Sequence, residues 1–100
     1  MKVKYSDLKN KRIFITGGGS GIGASIVEHF CEQGSEVYFV DINLKETNKL
    51  IKRIKKNKFR LPTFIECNLL DINKLEKIIQ KIISTNGPIH ALINNAANDD

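Results

Sequence analysis

Hydrophobic residues along the chain fall into two alternating patterns, which predict strands and helices in turn. Short runs rich in β-branched and aromatic residues have the character of buried strands, and they occupy residues 12–16, 36–41, 63–67 and 89–93. Between these runs, apolar residues recur three or four positions apart, as they do on amphipathic helices. The predicted helices cover residues 22–33, 44–56 and 72–86.

Local signals mark the ends of two of these helices. Gly34 follows the first helix and supplies a residue that ends helices readily. Asp71 is a good N-cap for the third helix, and Leu70 and Leu75 have the spacing of a hydrophobic staple around it. We therefore expect the third helix to begin directly after Asp71.

The order of elements, β-α-β-α-β-α-β, predicts the fold class. Its connections are too long for hairpins, so the strands should be parallel and joined by right-handed crossovers, with helices covering the sheet. We expect an α/β fold, a Rossmann-type doubly wound parallel sheet with strand order 3-2-1-4. Residues 1–100 form one domain, and ligands should bind where the strands end at their carboxyl edges.

Composition excludes several classes of protein. With 41% hydrophobic and 27% charged residues, the chain is a folded domain rather than a disordered one. No apolar segment approaches the ~20 residues of a membrane span, and the basic N-terminus lacks the apolar core of a secretory signal. Cys31 and Cys67 are too few for a disulfide scaffold, and His29 and His90 lack ligand spacing. We expect a cytoplasmic protein with free thiols, no membrane partner and no metal site.

The net charge of +5 raises the possibility of a nucleic-acid partner, but its distribution argues against one. Half of the 16 cations lie in residues 45–60, on one predicted helix and its exit, beside a single acid, Glu46. This pattern is typical of a solvated helix face, so we expect no nucleic-acid partner. The alternative, a basic nucleic-acid-binding protein, predicts that residues 45–60 bind DNA with an affinity that falls steeply as the salt concentration rises.

A glycine-rich loop, TGGGSGIG at residues 16–23, joins the first predicted strand to the first helix. Glycine lets the backbone approach a ligand closely, and a helix N-terminus presents unpaired N–H groups to a pyrophosphate. The spacing GxxxGxG on Gly17, Gly21 and Gly23 fits the strand end better than GxGxxG/A on Gly19, Gly21 and Ala24. No Gly-Lys-Ser/Thr follows, so the loop is not a P-loop.

Asp41 ends the second predicted strand, twenty residues after Gly21. A carboxylate there can accept hydrogen bonds from adenosine ribose hydroxyls and would repel a 2′-phosphate, which favours NAD over NADP. The alternative is an ordinary aspartate that starts a loop.

Polar residues also follow the last two predicted strands. Asn68, beside Leu69, could accept from the adenine amino group or be a turn residue before the N-cap. The NNAA run at residues 94–97 could approach a ribose or tie neighbouring loops together.

Together these motifs resemble the short-chain dehydrogenase/reductase family, in the family's order and approximate spacing, from about residue 8 onward. Asn68 replaces the usual Asp, and Ala97 replaces a Gly. The resemblance implies an NAD cofactor bound as follows. The pyrophosphate loop would comprise Gly17, Gly19, Ser20, Gly21, Ile22 and Gly23, the ribose would lie at Asp41, and the adenine and adenosine contacts would be Asn68, Leu69, Asn94 and Ala96.

The resemblance also implies an oxidoreductase that acts on a secondary alcohol or sugar. The tail NNAANDD at residues 94–100 is similar to that of aldose 1-dehydrogenases, which would place Asn98 and Asp99 near a polyol substrate; the alternative is an ordinary polar loop. The family's catalytic Ser, Tyr-x-x-x-Lys pair and Asn lie beyond the matched region, and Tyr5 and Lys9 have the pair's spacing on the wrong side of the first strand. We expect residues 1–100 to be the N-terminal part of a Rossmann domain, inactive alone and homo-oligomeric when complete.

The alternative function is a non-catalytic dinucleotide-binding or regulatory module, or an inactive gene fragment. The DNA that follows the codon of Asp100 discriminates between them. An in-frame Tyr-x-x-x-Lys downstream favours the enzyme, and its absence favours the module or a decayed gene.

Overall fold

A parallel four-stranded sheet with helices on both faces forms the fold in the computed structural model, which describes residues 6–95. A 3₁₀ turn at Ser6–Leu8 precedes the sheet. The elements in chain order are β1 (Arg12–Thr16), α1 (Gly21–Glu32), β2 (Glu36–Asp41), α2 (Leu44–Lys56), β3 (Thr63–Glu66), α3 (Ile72–Asn86) and β4 (Ala91–Asn94). The strand order β3-β2-β1-β4 and the parallel pairing confirm the predicted topology.

The fourth strand begins two residues later than its hydrophobic pattern predicts. Pairing with β1 starts at Ala91, opposite Ile13. One residue earlier, the Arg12 N–H donates to Nδ1 of the His90 side chain at 2.8 Å rather than to a strand carbonyl. The His90 N–H still donates to the Arg12 carbonyl at 2.8 Å, so the imidazole replaces only the backbone acceptor for the Arg12 N–H, and His90 serves a structural role there.

The start of α3 confirms the predicted cap, whereas the predicted hydrophobic staple is wrong. Asp71 accepts a hydrogen bond from the Lys74 N–H at 3.1 Å. Leu70 is 86% exposed and cannot pack on Leu75. The side-chain oxygen of Asn68 accepts from the Leu70 N–H at 2.9 Å, and this turn directs the Leu70 side chain into solvent.

The core lies on both faces of the sheet because successive strand residues point to opposite sides. Toward α1 and α2, the cluster of buried side chains comprises Ile13, Ile15, Ala24, Val27, Cys31, Val37, Phe39, Leu50 and Ile54. Toward α3 it comprises Phe14, Val40, Cys67 and Ile82. Burial raises the pKa of the Cys31 thiol to about 12, which leaves that thiol unreactive at neutral pH.

An ion pair fixes the amino-terminal edge of the sheet, at the end opposite the glycine loop. Arg12 Nε lies 2.8 Å from Glu36 Oε2, and the Tyr38 hydroxyl donates to the same oxygen at 2.7 Å. The Arg12 guanidinium, aided by the Tyr38 hydrogen bond, holds the pKa of Glu36 below its ordinary value. The pairing ties the first residue of β1 to the first residue of β2.

We expect Glu36→Gln to lower the melting temperature by a few degrees at neutral pH and to reduce its fall in acid. A carboxyl whose pKa is depressed by folding stabilises the protein above its unfolded pKa of about 4.3, and that stabilisation disappears as pH falls through the folded-state value. Thermal unfolding between pH 3 and 7 measures the effect. The exposed Glu66 provides the control, and an equal effect of Glu66→Gln would contradict the assignment.

Among residues 6–95, no helix combines the length and the apolar character that crossing a bilayer requires.

Candidate functional site

The candidate site lies where β1, β2 and β4 end at the same edge of the sheet. The paired residues Thr16, Val40 and Asn94 bring the glycine loop, Asp41 and the residues after β4 into one neighbourhood. Lys9, which shares the Tyr-x-x-x-Lys spacing, instead lies near Gly34 beyond the far end of α1, and Tyr5 lies outside the described residues. The geometry therefore groups the predicted binding residues and separates them from Lys9.

Two glycines let the loop fold tightly against the first turn of α1. Gly17 has φ +68°, and a Cβ there would lie 2.5 Å from the Asn95 carbonyl oxygen. A Cβ on Gly23 would collide with the Gly17 carbonyl oxygen and lie 2.7 Å from the Asn95 side-chain nitrogen. The loop can keep this shape only if both positions lack a side chain.

The first three glycine amides are already used within the protein. The N–H groups of Gly17 and Gly18 donate to the Val40 carbonyl at 2.9 and 3.4 Å. The Gly19 N–H donates to Asp41 Oδ2 at 2.8 Å. These three amides shape the loop by bonding to the end of β2.

The beginning of α1 differs from that of the other two helices. Asn43 and Asp71 cap α2 and α3 with side-chain hydrogen bonds of 3.1 Å, whereas Ser20, the N-cap of α1, makes none. The first N–H groups of a helix have no acceptor within the helix, so this end keeps its donors and its partial positive charge. Such an end is suited to a phosphate group.

The surface over this helix end is open. Ile22 is 75% exposed, and a Cβ added at Gly21, whose φ is +58°, would meet no described atom within 4 Å. The residues of the first turn therefore leave room for a ligand that reaches the backbone. This cradle fits the pyrophosphate of a dinucleotide.

Asp41 is fixed by backbone donors at the end of β2. Its Oδ1 accepts from the N–H groups of Ile42 and Asn43 at 2.6 and 3.0 Å, and its Oδ2 accepts from Gly19. A carboxylate offers about four acceptor positions, so one remains for a further donor. The half-buried carboxylate is thus held in place with capacity for a ligand hydroxyl.

Asn68 and Leu69 lie at the end of β3, as the sequence predicts. Asn68 is exposed, and its side-chain oxygen caps the turn at Leu70. Leu69 is half-buried against the α3 side of the core. The turn role of Asn68 is therefore observed, and its contact with adenine remains a prediction.

Asn94, the last residue of β4, and Asn95 directly after it are tied to the glycine loop. The Thr16 hydroxyl donates to Asn94 Oδ1 at 2.7 Å and accepts from the Asn95 N–H at 3.0 Å, while Asn95 Nδ2 donates to the Gly17 carbonyl at 3.2 Å. Asn94 and Asn95 thus join neighbouring loops. Ala96, Asn98 and Asp99, which the sequence assigns to cofactor or substrate, lie outside the described residues.

Thr47 is a residue of this site that the sequence did not reveal. It lies on α2, is fully buried, and places its hydroxyl oxygen against Gly19. A threonine in the first turns of a helix carries no signal in a single sequence. Only the fold brings it under the loop.

A family model described as short chain dehydrogenase matches residues 11–99. The probable galactose dehydrogenase GalD of Rhizobium meliloti (strain 1021) is 35% identical over 97% of this chain. A D-xylose 1-dehydrogenase of Caulobacter vibrioides is 38% identical over 96% of it. The match covers only 38% and 37% of the lengths of these two relatives.

Solved structures share the fold. An oxidoreductase from Haemophilus influenza, crystallised with bound NAD, superposes with a TM-score of 0.76 at 22% identity. The match covers 93% of this chain and 33% of that one.

The strand order and the crossovers thus define an α/β protein of the Rossmann type. The chain belongs to the short-chain dehydrogenase family, whose members are oxidoreductases that use nicotinamide dinucleotide cofactors.

Proposed function

We propose that this chain is the cofactor-binding part of an NAD-dependent oxidoreductase that acts on a secondary alcohol or a sugar. The observation that carries the proposal is the uncapped first turn of α1, which follows a glycine loop anchored to the Asp41 carboxylate. A positive helix end and a fixed carboxylate together suit the pyrophosphate and the ribose of one dinucleotide. The proposed protein is cytoplasmic and homo-oligomeric.

Each part of the adenosine diphosphate moiety has a candidate partner. The pyrophosphate would accept from first-turn amides of α1 at Ser20–Gly23, and a ribose hydroxyl would donate to Asp41. Adenine would lie beside Asn68 and Leu69, with Asn94 and Ala96 nearby. The nicotinamide, when bound, supplies the hydride acceptor, and we propose that the catalytic Ser, Tyr and Lys lie outside residues 1–100.

The charge at Asp41 supports NAD rather than NADP as the cofactor. A 2′-phosphate would place negative charge beside this carboxylate, and the loop at residues 17–20 contains no arginine to offset it. Relatives named for D-xylose and galactose support an aldose as the substrate, oxidised at C1.

A titration of the complete gene product with NAD and NADP, followed by amide NMR, tests the proposal. We expect saturable shifts at residues 20–23 and around Asp41, with NAD binding more tightly than NADP. A DNA duplex serves as the control for the basic residues 45–60. If NAD leaves the loop amides unmoved while DNA binds with a steep salt dependence, the chain is a polyanion binder and the proposal is wrong.

A further inference from the structure

The hydroxyl of Thr47 is a buried polar group without a hydrogen-bond partner among the described residues. Thr47 is 0% exposed, and buried hydroxyls are nearly always satisfied because an unsatisfied one is destabilising. A helical threonine commonly bonds back to the carbonyl four residues earlier, yet here that carbonyl, on Asn43, accepts the Thr47 N–H at 3.0 Å and not the hydroxyl. This hydroxyl therefore has an unused proton.

The same hydroxyl lies next to the acceptor that the candidate ribose site uses. A Cβ on Gly19 would collide with Thr47 Oγ1 and lie 2.8 Å from Asp41 Oδ2. The two oxygens therefore lie on either side of the position that this Cβ would take. The Gly19 N–H donates to Oδ2 at 2.8 Å. Asp41 thus has two potential donors on one side, of which only the backbone amide is engaged.

This arrangement bears on how the loop can bind a cofactor. A Gly19 amide that donates to Asp41 is unavailable to a ligand. If the amide were released without replacement, Asp41 would lose the donor that orients Oδ2 toward the loop. A second donor that can move onto Oδ2 would let the amide turn to the cofactor while the carboxylate stays in place.

We propose that Thr47 is a positioning residue. When the cofactor binds, its hydroxyl replaces the Gly19 amide as the hydrogen-bond donor to Asp41. Its hydroxyl donates to Asp41 Oδ2, the Gly19 N–H turns toward the dinucleotide, and the number of protein donors on the carboxylate stays the same. One acceptor position on Asp41 is thereby kept for the ribose. This inference rests on the proposed function, and it adds to it a residue that never touches the cofactor.

Thr47→Val and Thr47→Ser test the inference, because valine keeps the shape without the hydroxyl and serine keeps the hydroxyl. The probe is ADP-ribose, added to the complete gene product and followed by calorimetry and by the Gly19 amide resonance. We expect Thr47→Val to weaken binding about tenfold, as the loss of one hydrogen bond to a charged acceptor would, and Thr47→Ser to weaken it about twofold or less.

Two further readouts separate positioning from packing. The Gly19 amide resonance should shift on ADP-ribose addition in the wild type and in Thr47→Ser. In Thr47→Val it should not shift, because the amide remains hydrogen-bonded to Asp41. Without ligand, Thr47→Val should melt at or above the wild-type temperature, because it removes an unsatisfied buried hydroxyl.

The outcomes distinguish this inference from the proposed function. If wild-type protein binds ADP-ribose and Thr47→Val binds it equally well, or if the Gly19 amide does not move in the wild type, Thr47 has no positioning role and the proposed function stands. If the wild type does not bind ADP-ribose or NAD, both are wrong.

Discussion

Gly23→Ala is expected to destabilise the protein by about 3 kcal/mol and to abolish dinucleotide binding. A Cβ at this position would collide with the Gly17 carbonyl oxygen and approach the Asn95 amide. The Gly17 contact is with backbone that is itself held by β1 and β2, so neither partner can move aside without opening the loop. Urea unfolding of wild type and variant measures the loss directly.

Gly21→Ala is the matched control within the same loop. Its Cβ meets no described atom within 4 Å, so we expect only the backbone cost of a left-handed alanine, about 1 kcal/mol. Because that Cβ would project into the proposed cofactor space, Gly21→Ala should still weaken NAD binding. Equal stability losses in the two variants would show that the collision at Gly23 is relieved elsewhere.

Asp41→Ala is expected to weaken NAD binding about 30-fold, the equivalent of one hydrogen bond to a charged group worth about 2 kcal/mol. The same change should weaken NADP far less, because the carboxylate that repels a 2′-phosphate is removed along with the ribose acceptor. The ratio of the two dissociation constants, measured by calorimetry on the complete gene product, is the decisive quantity. An equal loss for both cofactors would count against the ribose assignment.

Asp41→Asn controls for the structural part of this effect. Asparagine keeps a side-chain oxygen that can accept from Ile42 and Asn43 but removes the negative charge. We expect its melting temperature to lie closer to the wild type than that of Asp41→Ala, and its preference for NAD to fall. A variant that binds NAD as the wild type does would show that the charge at this position is dispensable.

The topology could be predicted from the sequence because each of its determinants is local. A hydrophobic run fixes each strand, a three-to-four-residue period fixes each helix, and the length of each connection requires parallel pairing. The N-cap at Asp71 is also a local signal, and the hydrogen bond from the Lys74 N–H confirms it. Where a side chain competed with the backbone, the sequence pattern failed, as at His90 before β4 and at Leu70 after the Asn68 turn.

The site could be located from the sequence but its hydrogen bonding could not. The glycine spacing and Asp41 indicate the carboxyl edge of the sheet, where the structure brings them together, because both lie at strand ends. The packing of α2 against the loop decides two contacts that the sequence does not indicate. The Gly19 amide is bonded to Asp41, and Thr47 lies beneath this amide. Contacts of this kind join residues far apart in sequence, and single-residue patterns do not encode them.

The bonds that join Thr16 and Gly17 to Asn94 and Asn95 span 78 and 79 positions of the chain. During synthesis on the ribosome, the glycine turn therefore cannot acquire its final shape until nearly all of this segment has emerged, even though β1 and α1 are made first. We expect the nascent chain to gain affinity for nucleotide only after β4 has docked. Premature termination before Asn95 would leave a polypeptide that contains the whole glycine motif and its bonds to β2 but lacks the bonds from Asn95 to Thr16 and Gly17.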